Sequence, residues 1–244
     1  MQSLRKGRYV ARFAESSSDI LAAQGLRHLC FRGGGGLDAD PFDEICRHVL
    51  VEDAADGRLL CCFRLMHLNA GCEISRSYSA QYYDLSALEA YDRPMVEMGR
   101  FCIHPDVHDP DVLRIAWGLL TRFVDAEDVG MLFGCSSFKG TESDPYLDAF
   151  AMLKDGHLAP RRWWPRVKAP SVFRFARRLA RRDPDRKRAT LTMPPLLRSY
   201  LMLGGWVSDH AVVDRDLNTM HVFTGLEIGA IPESRARLLR GVAG

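Results

Sequence analysis

The chain has no apolar run approaching the ~20 residues that a helix needs to span a bilayer. It has no Cys-x-x-Cys pair at metal-site spacing, so no metal is expected. Its seven cysteines (Cys30, Cys46, Cys61, Cys62, Cys72, Cys102 and Cys135) are odd in number and scattered through apolar stretches, which reads as buried free thiols. With no secretory signal segment, a reducing cytoplasm is the expected compartment, with contact at the inner membrane face as the membrane option. An excess of one charge sign is also lacking: the formal charge is +2, which argues against a general nucleic-acid binder. At 244 residues, 47% hydrophobic and 26% charged, the chain has the make-up of one ordinary globular domain without repeats.

Two ligand loops are excluded by what they lack. Gly33 to Gly36 follow a helical stretch instead of opening one, and no Gly-Lys-Ser/Thr accompanies them, so a hinge is expected and not a phosphate loop. Asp38, Asp40 and Asp43 have neither the glycine nor the closing glutamate of a calcium loop, which leaves a solvated turn as the plain reading.

The elements that are present alternate in type. Arg8 to Ala14 has strand chemistry, and Ser17 or Ser18 is positioned to cap a helix from about Asp19 to Phe31. Runs 46–53 and 59–68 flank an Asp-Gly turn and predict a hairpin. A short helix is predicted at 84–90 and a strand at 96–104. A helix capped by Asp109 with Pro110 at its first position comes next. A buried strand at 131–137 follows, then a helix at 145–153. Strand, helix, strand of this length implies a crossover and a parallel pair. A basic and aromatic insertion at about 160–192 follows, then a short helix from 193 and two strands at 206–213 and 219–226. The tail from Pro232 reads as peripheral.

Two of these strands carry charges that a core strand tolerates only when they are paired. Arg64 is the single charge in Leu59–Leu68, and Glu97 and Arg100 stand in Val96–His104 before Pro105. The plain reading of Glu97 is a structural ion pair with Arg100 or Arg64; the sharper one is chemistry.

The order of elements resembles the GNAT acyltransferase arrangement. That is an α/β fold with a mixed, mostly antiparallel sheet, a splayed parallel pair (here 96–104 and 131–137) and flanking helices, read as one domain over 1–244. The Gln/Arg-x-x-Gly-x-Gly/Ala loop that wraps coenzyme A pyrophosphate in that family is replaced by His104-Pro-Asp-Val-His-Asp-Pro, which suggests a different acyl carrier. Arg27 with Phe31, Asp40 with Asp43, Arg64, and Glu97 with Arg100 resemble the signature of acyl-homoserine-lactone synthases, without that family's tryptophan after the Arg/Phe helix. The closer resemblance is to the ornithine lipid N-acyltransferases. It rests on Phe42-Asp43-x-x-Cys46-x-His48, Glu97-x-Gly99-Arg100-x-Cys102-x-His104-Pro105, Leu132-Phe-Gly-Cys-Ser-Ser-Phe138, Pro194-Pro-Leu-Leu197 and a late Asp-x-x-Asn-Thr.

This resemblance implies transfer of a 3-hydroxyacyl group from acyl carrier protein to the α-amino group of ornithine, giving lyso-ornithine lipid. No cofactor is bound permanently, and the donor is the carrier's acyl-phosphopantetheine. Glu97 is the expected general base, directly or through water, with His104 as a spare. Burial and a nearby arginine act on such a carboxylate in opposite directions. Arg64 and Arg100 either position the base or hold the substrate carboxylate. Asp40 and Asp43 order a flap, receive the side-chain ammonium or cap the turn. Arg27 and Phe31 complete the substrate side, and Ser136 and Ser137 are set to meet the acyl hydroxyl or the pantetheine amides. Arg161, Arg162, Trp163, Trp164, Arg166 and Lys168 suit docking of an acidic carrier protein or of an anionic membrane surface. The alternatives are the same reaction on glutamine or another amino acid, homoserine-lactone synthesis, and a non-catalytic module that binds carrier protein or membrane.

Overall fold

The computed structural model describes residues 3–243. In chain order its strands and helices begin with β1 (Leu4–Lys6), β2 (Tyr9–Phe13), α1 (Ser17–Phe31), β3 (Arg47–Asp53), β4 (Leu59–Leu68) and β5 (Tyr83–Asp84). Next come β6 (Met95–Ile103), α2 (Pro110–Ala126), β7 (Met131–Lys139), α3 (Leu147–Gly156), β8 (Arg166–Val167), β9 (Val172–Phe173) and α4 (Phe175–Arg178). The series closes with α5 (Arg186–Thr192), α6 (Pro195–Met202), β10 (Trp206–Val207), β11 (Ala211–Asp214), β12 (Thr219–Glu227) and α7 (Glu233–Ala243). The chain forms two compact units. One comprises Met1–His67, Val96–Val129 and Glu233–Gly244; the other comprises Leu68–Met95 and Gly130–Pro232.

In the first unit β1 pairs with β2, β2 with β3 and β3 with β4, all antiparallel, and β6 lies beside β4. Three consecutive serines obscured the start of α1. The cap is Ser16, whose side chain accepts the Asp19 N–H while Asp19 answers the Ser16 N–H, so that both orphan donors are satisfied. Arg12 fastens this end with hydrogen bonds to Asp19 and Glu52 at 2.7–3.0 Å. Helix α2 starts where Asp109 and Pro110 predict, with the Asp109 side chain accepting the Asp111 N–H. The tail is not peripheral. It forms α7 against α2, where Gly118 leaves room for Leu4 and Val242, and Arg240 pairs with Asp125 at 3.0 Å.

In the second unit the sheet runs β7, β12, β11, β9, with β10 also on β12 and antiparallel registers throughout. Phe138, Phe150, Phe175, Leu197 and Val222 form its core. The stretch 160–192 contributes to this unit directly: β9 extends the sheet, Phe175 is fully buried, and Lys154 donates to the Leu179 and Arg182 carbonyls at 3.0 Å. One continuous basic helix does not form there, because Pro184 separates α4 from α5 and Asp185 caps a new start. The helix predicted at 84–90 is only a 3₁₀ turn at Ser86–Leu88, too short to propagate. The strand predicted at 206–213 breaks into β10 and β11 at the buried Ser208 and His210.

Gly71 is the tightest backbone approach in this unit. Its N–H donates to the Tyr91 carbonyl at 2.7 Å, and an added Cβ would lie 1.9 Å from the Leu88 carbonyl oxygen. Because the obstacle is backbone, Gly71→Ala is expected to cost about 3 kcal/mol. Denaturant unfolding checks this, and a loss below about 1 kcal/mol would show that the 70–91 segment gives way freely.

Candidate active site

Three elements of the first unit converge on an acidic turn. Helix α1 buries Ala23, Gln24, Leu26 and Arg27 on one face. Strand β4 presents Arg64 directly across from His48 of β3, so the two side chains share a face. Between them the turn Pro41–Glu44 is capped by Asp40, and Asp43 completes a reciprocal capping box. The glycine run places this turn. Gly33 donates to the His28 carbonyl and has φ +77, Gly34 has φ +68, and the chain doubles back so that Asp38 N–H reaches the Gln24 carbonyl at 3.1 Å.

Strand β6 supplies the last part. Gly99 lies against Arg64, with only 3.5 Å from a would-be Cβ to Arg64 Nε, and Cys102 Sγ is 3.5 Å from Cys62 Sγ, two residues from Arg64 on β4. Residues three apart face opposite sides of a regular strand, yet these two share a side. Arg100 accounts for this: at φ +52 it adds a bulge that shifts the alternation and turns its own side chain towards the acidic turn. Glu97, two residues before Gly99, therefore faces the same side.

The result is a lattice of three arginines and three aspartates, in which Arg27, Arg64, Asp38 and Asp43 are buried and Asp40 and Arg100 are half-buried. Arg27 bonds Asp38 at 2.9 Å and Asp43 at 2.6 Å. Arg64 grips Asp40 with both Nη atoms, at 2.6 and 2.9 Å, and reaches Asp43 at 2.8 Å. Arg100 bonds Asp38 at 2.9 Å and Asp40 at 3.2 Å. Gln24 donates to the remaining Asp43 oxygen at 2.9 Å, and His48 Nε2 is 3.0 Å from the Asp43 carbonyl oxygen. The guanidinium of Arg64 also lies over the Phe42 ring at 5.4 Å. Asp38 and Asp43 are buried, so the solvated-turn reading fails for both: each carboxylate leaves water only because two arginines receive it.

Burial pushes the Asp43 carboxyl up, but bonds from Arg27, Gln24 and Arg64 outweigh it and hold it at about 2. Burial likewise opposes ionisation of Asp38, and Arg100 with Arg27 overcomes it and lowers the group. His48 is held below its ordinary value by burial, which favours the neutral ring. The half-buried Cys46 thiol is raised to about 12, first by burial, with the negative charge of Glu97 adding to the rise and Arg64 opposing it. Glu97 is itself 5% exposed, and its carboxyl lies close enough to Cys46 to act on that thiol.

The sequence-predicted residues therefore divide. Glu97, Arg100, Arg64, Asp40, Asp43 and Arg27 gather in the first unit. Phe31 is half-buried and packs against the Ala23–Leu26–Leu50–Cys62–Cys102 cluster. His104 sits at the end of β6 with Arg58 and Asp106. Ser136 and Ser137 lie in the second unit, where Ser136 Oγ accepts from Thr224 at 2.9 Å and Ser137 is exposed. In that unit Arg162 pairs with Glu227 at 2.9 Å, Trp163 packs edge-on to Tyr91, and Lys168 donates to the Ala80 carbonyl at 2.6 Å. Arg161 and Arg166 are exposed, and Trp164 is half-buried. Asp38, Gln24 and His48 were missed as members of the site. The signal available was that Arg27 and Arg100, both in apolar contexts, each needed a partner.

The pH dependence follows from these groups. Asp43 has a folded pKa of about 2 against an ordinary 3.8, so its stabilisation is complete above about pH 4 and is lost as pH falls through 2. The loss amounts to about 2 kcal/mol. His48, depressed from 6.5, adds a loss of the same sign below that pH. Asp43→Asn is expected to cost about 3 kcal/mol at pH 7 and to shrink the step below pH 4, leaving the part that Asp38 contributes. Urea unfolding across pH 2–7 measures both, and an unchanged acid limb in the variant would contradict this account of the lattice.

Residues 28–118, which contain Glu97 and every lattice member except Arg27, match the family model described as an acetyltransferase (GNAT) domain. The L-ornithine N(alpha)-acyltransferase of Rhodobacter capsulatus is 34% identical over 92% of this chain and 92% of its own length. The protein of that name from Brucella abortus is 30% identical over 93% and 87%. Among solved structures, FeeM, an N-acyl amino acid synthase from uncultured soil microbes, shares the fold at TM-score 0.51 and 9% identity, with 97% of each chain covered. The α/β class expected from the order of elements is the one these comparisons return. The chain belongs to the L-ornithine N(alpha)-acyltransferase family.

Proposed function

We propose that the protein transfers a 3-hydroxyacyl group from acyl carrier protein to the α-amino group of ornithine, giving lyso-ornithine lipid. The observation that carries this reading is the 34% identity with the Rhodobacter enzyme along nine-tenths of both chains. In the reaction, ornithine's ammonium gives up a proton, the free amine attacks the thioester carbonyl, and the C–S bond breaks to release the carrier's thiol. Glu97 takes the proton, directly or through a water. Its support is a buried carboxylate on the strand face that also carries the lattice.

Arg64 already has its two-bond fork on Asp40. This favours Arg64 and Arg100 as groups that fix the Glu97 strand over groups that bind the substrate carboxylate. Backbone N–H groups at the bulge in β6 are the proposed donors to the developing oxyanion. The start of α2 supports a donor other than coenzyme A. Asp109 and Asp111 stand where GNAT relatives offer a helix N-terminus to pyrophosphate, and the Asp111 N–H is already taken at 2.9 Å. Exposed Arg161 and Arg166 are suited to an acidic carrier.

Purified protein incubated with 3-hydroxyacyl carrier protein or the matching acyl-coenzyme A and a panel of amino acids is expected to acylate ornithine from the carrier donor, read by mass spectrometry. No acylation of any amino acid would overturn the proposal and leave homoserine-lactone synthesis and the binding-module reading. Glu97→Gln is expected to lower kcat about 10²- to 10⁴-fold while keeping the fold. Full activity in a folded variant would remove Glu97 as the base.

A further inference from the structure

Positive charge is segregated in this chain. Residues 174–198 hold nine Lys and Arg against Asp183 and Asp185, so the remainder of the chain is net −5 although the whole is +2. Two of the nine, Arg182 and Arg188, are met by Asp148. Arg174, Arg177, Arg178, Arg181, Arg186 and Lys187 are exposed and have no ion-pair partner among the described residues. A surface this basic repels itself and calls for an anionic partner.

The same surface is apolar in places. On α5, Leu191 is 75% exposed and stands one turn after Lys187. On α6, Met202 is 52% exposed and stands one turn after Arg198. The two helices meet at this edge, where Arg198 donates to the Thr190 carbonyl at 3.4 Å. Opposite them, Ala189 and Leu197 are buried. Each helix thus has an inner face in the core and an outer face that pairs a cation with a long apolar side chain.

We infer that the α4–α5–α6 edge docks on an anionic lipid bilayer, with the cations at the headgroups and Leu191 and Met202 at the acyl boundary. An acidic protein surface would answer the cations alone; an anionic bilayer answers both components. The inference rests on the proposed reaction in one respect: an N-acylated ornithine is an amphiphile, and a bilayer is what receives it. The site of chemistry is not involved, so the two readings fail separately.

The test is co-sedimentation of the full chain with vesicles of phosphatidylcholine, alone or mixed with phosphatidylglycerol, at low and high salt. The expected result is binding to the phosphatidylglycerol vesicles only, weakened by salt. Arg181→Gln/Arg186→Gln/Lys187→Gln is expected to weaken that binding about fivefold per cation, on the order of a hundredfold in all. Leu191→Ser, which keeps every charge, is expected to weaken it several-fold at any salt and stands in if the triple variant misfolds. Wild-type binding that is absent, equal on neutral vesicles or unchanged in both variants would overturn the inference. So would unaltered vesicle binding with a raised KM for the acyl carrier donor, which would make the edge a carrier-docking face. Vesicle binding needs no turnover, so failure to acylate ornithine would sink the proposed reaction and leave this result standing.

Discussion

Burying a charge without a partner costs several kcal/mol, and the first unit buries Arg27, Arg64, Asp38 and Asp43 in one lattice with the half-buried Arg100 and Asp40. That constraint links elements far apart in sequence. Helix α1 contributes Arg27, the acidic turn contributes Asp38, Asp40 and Asp43, β4 contributes Arg64, and β6 contributes Arg100. Each aspartate bridges two arginines, so removing any one member takes an ion pair from two others and leaves the lattice with one unbalanced charge. Such a lattice is a poor source of net stability but an effective way to fix geometry, because ion pairs with two-point contacts admit few arrangements.

What it fixes is β6. Arg100 holds a left-handed backbone conformation that a non-glycine residue adopts at a cost, and its guanidinium is tied to Asp38 and Asp40. The bulge so maintained brings Gly99 under Arg64 and aims Glu97 to the same side. A proposed base on a strand locked in this way needs no reorganisation when substrate arrives.

The long regular elements were legible from the sequence because their signals are local. The run Leu59–Leu68 is continuous apolar chain after Asp-Gly, and α2 begins at an Asp-Pro pair with helical spacing behind it. Arg64 and Arg100 of the lattice were legible too, as was Glu97 beside it, since all three are conspicuous charges in apolar strands. Three things were not. Asp38 stands in a short loop between the glycine run and Asp40-Pro41, with no strand or helix pattern to signal that it is buried; its burial comes from Arg27 and Arg100, 11 and 62 positions away. The bulge could not be read from Gly99, because the residue at positive φ is its neighbour Arg100, held there by tertiary ion pairs. The tail reads as polar and basic, yet α7 is held by a glycine on α2 whose missing side chain is visible only once the helices are packed.

The most direct test of the account is the steady-state kinetics of Asp40→Asn with ornithine as the varied substrate. If Asp40 acts by holding Arg64 and Arg100, and through them the Glu97 strand, kcat falls at least about tenfold while KM for ornithine stays within about twofold. If instead kcat is kept and KM rises, Asp40 meets the substrate itself, and the lattice is a binding surface and not a positioning device.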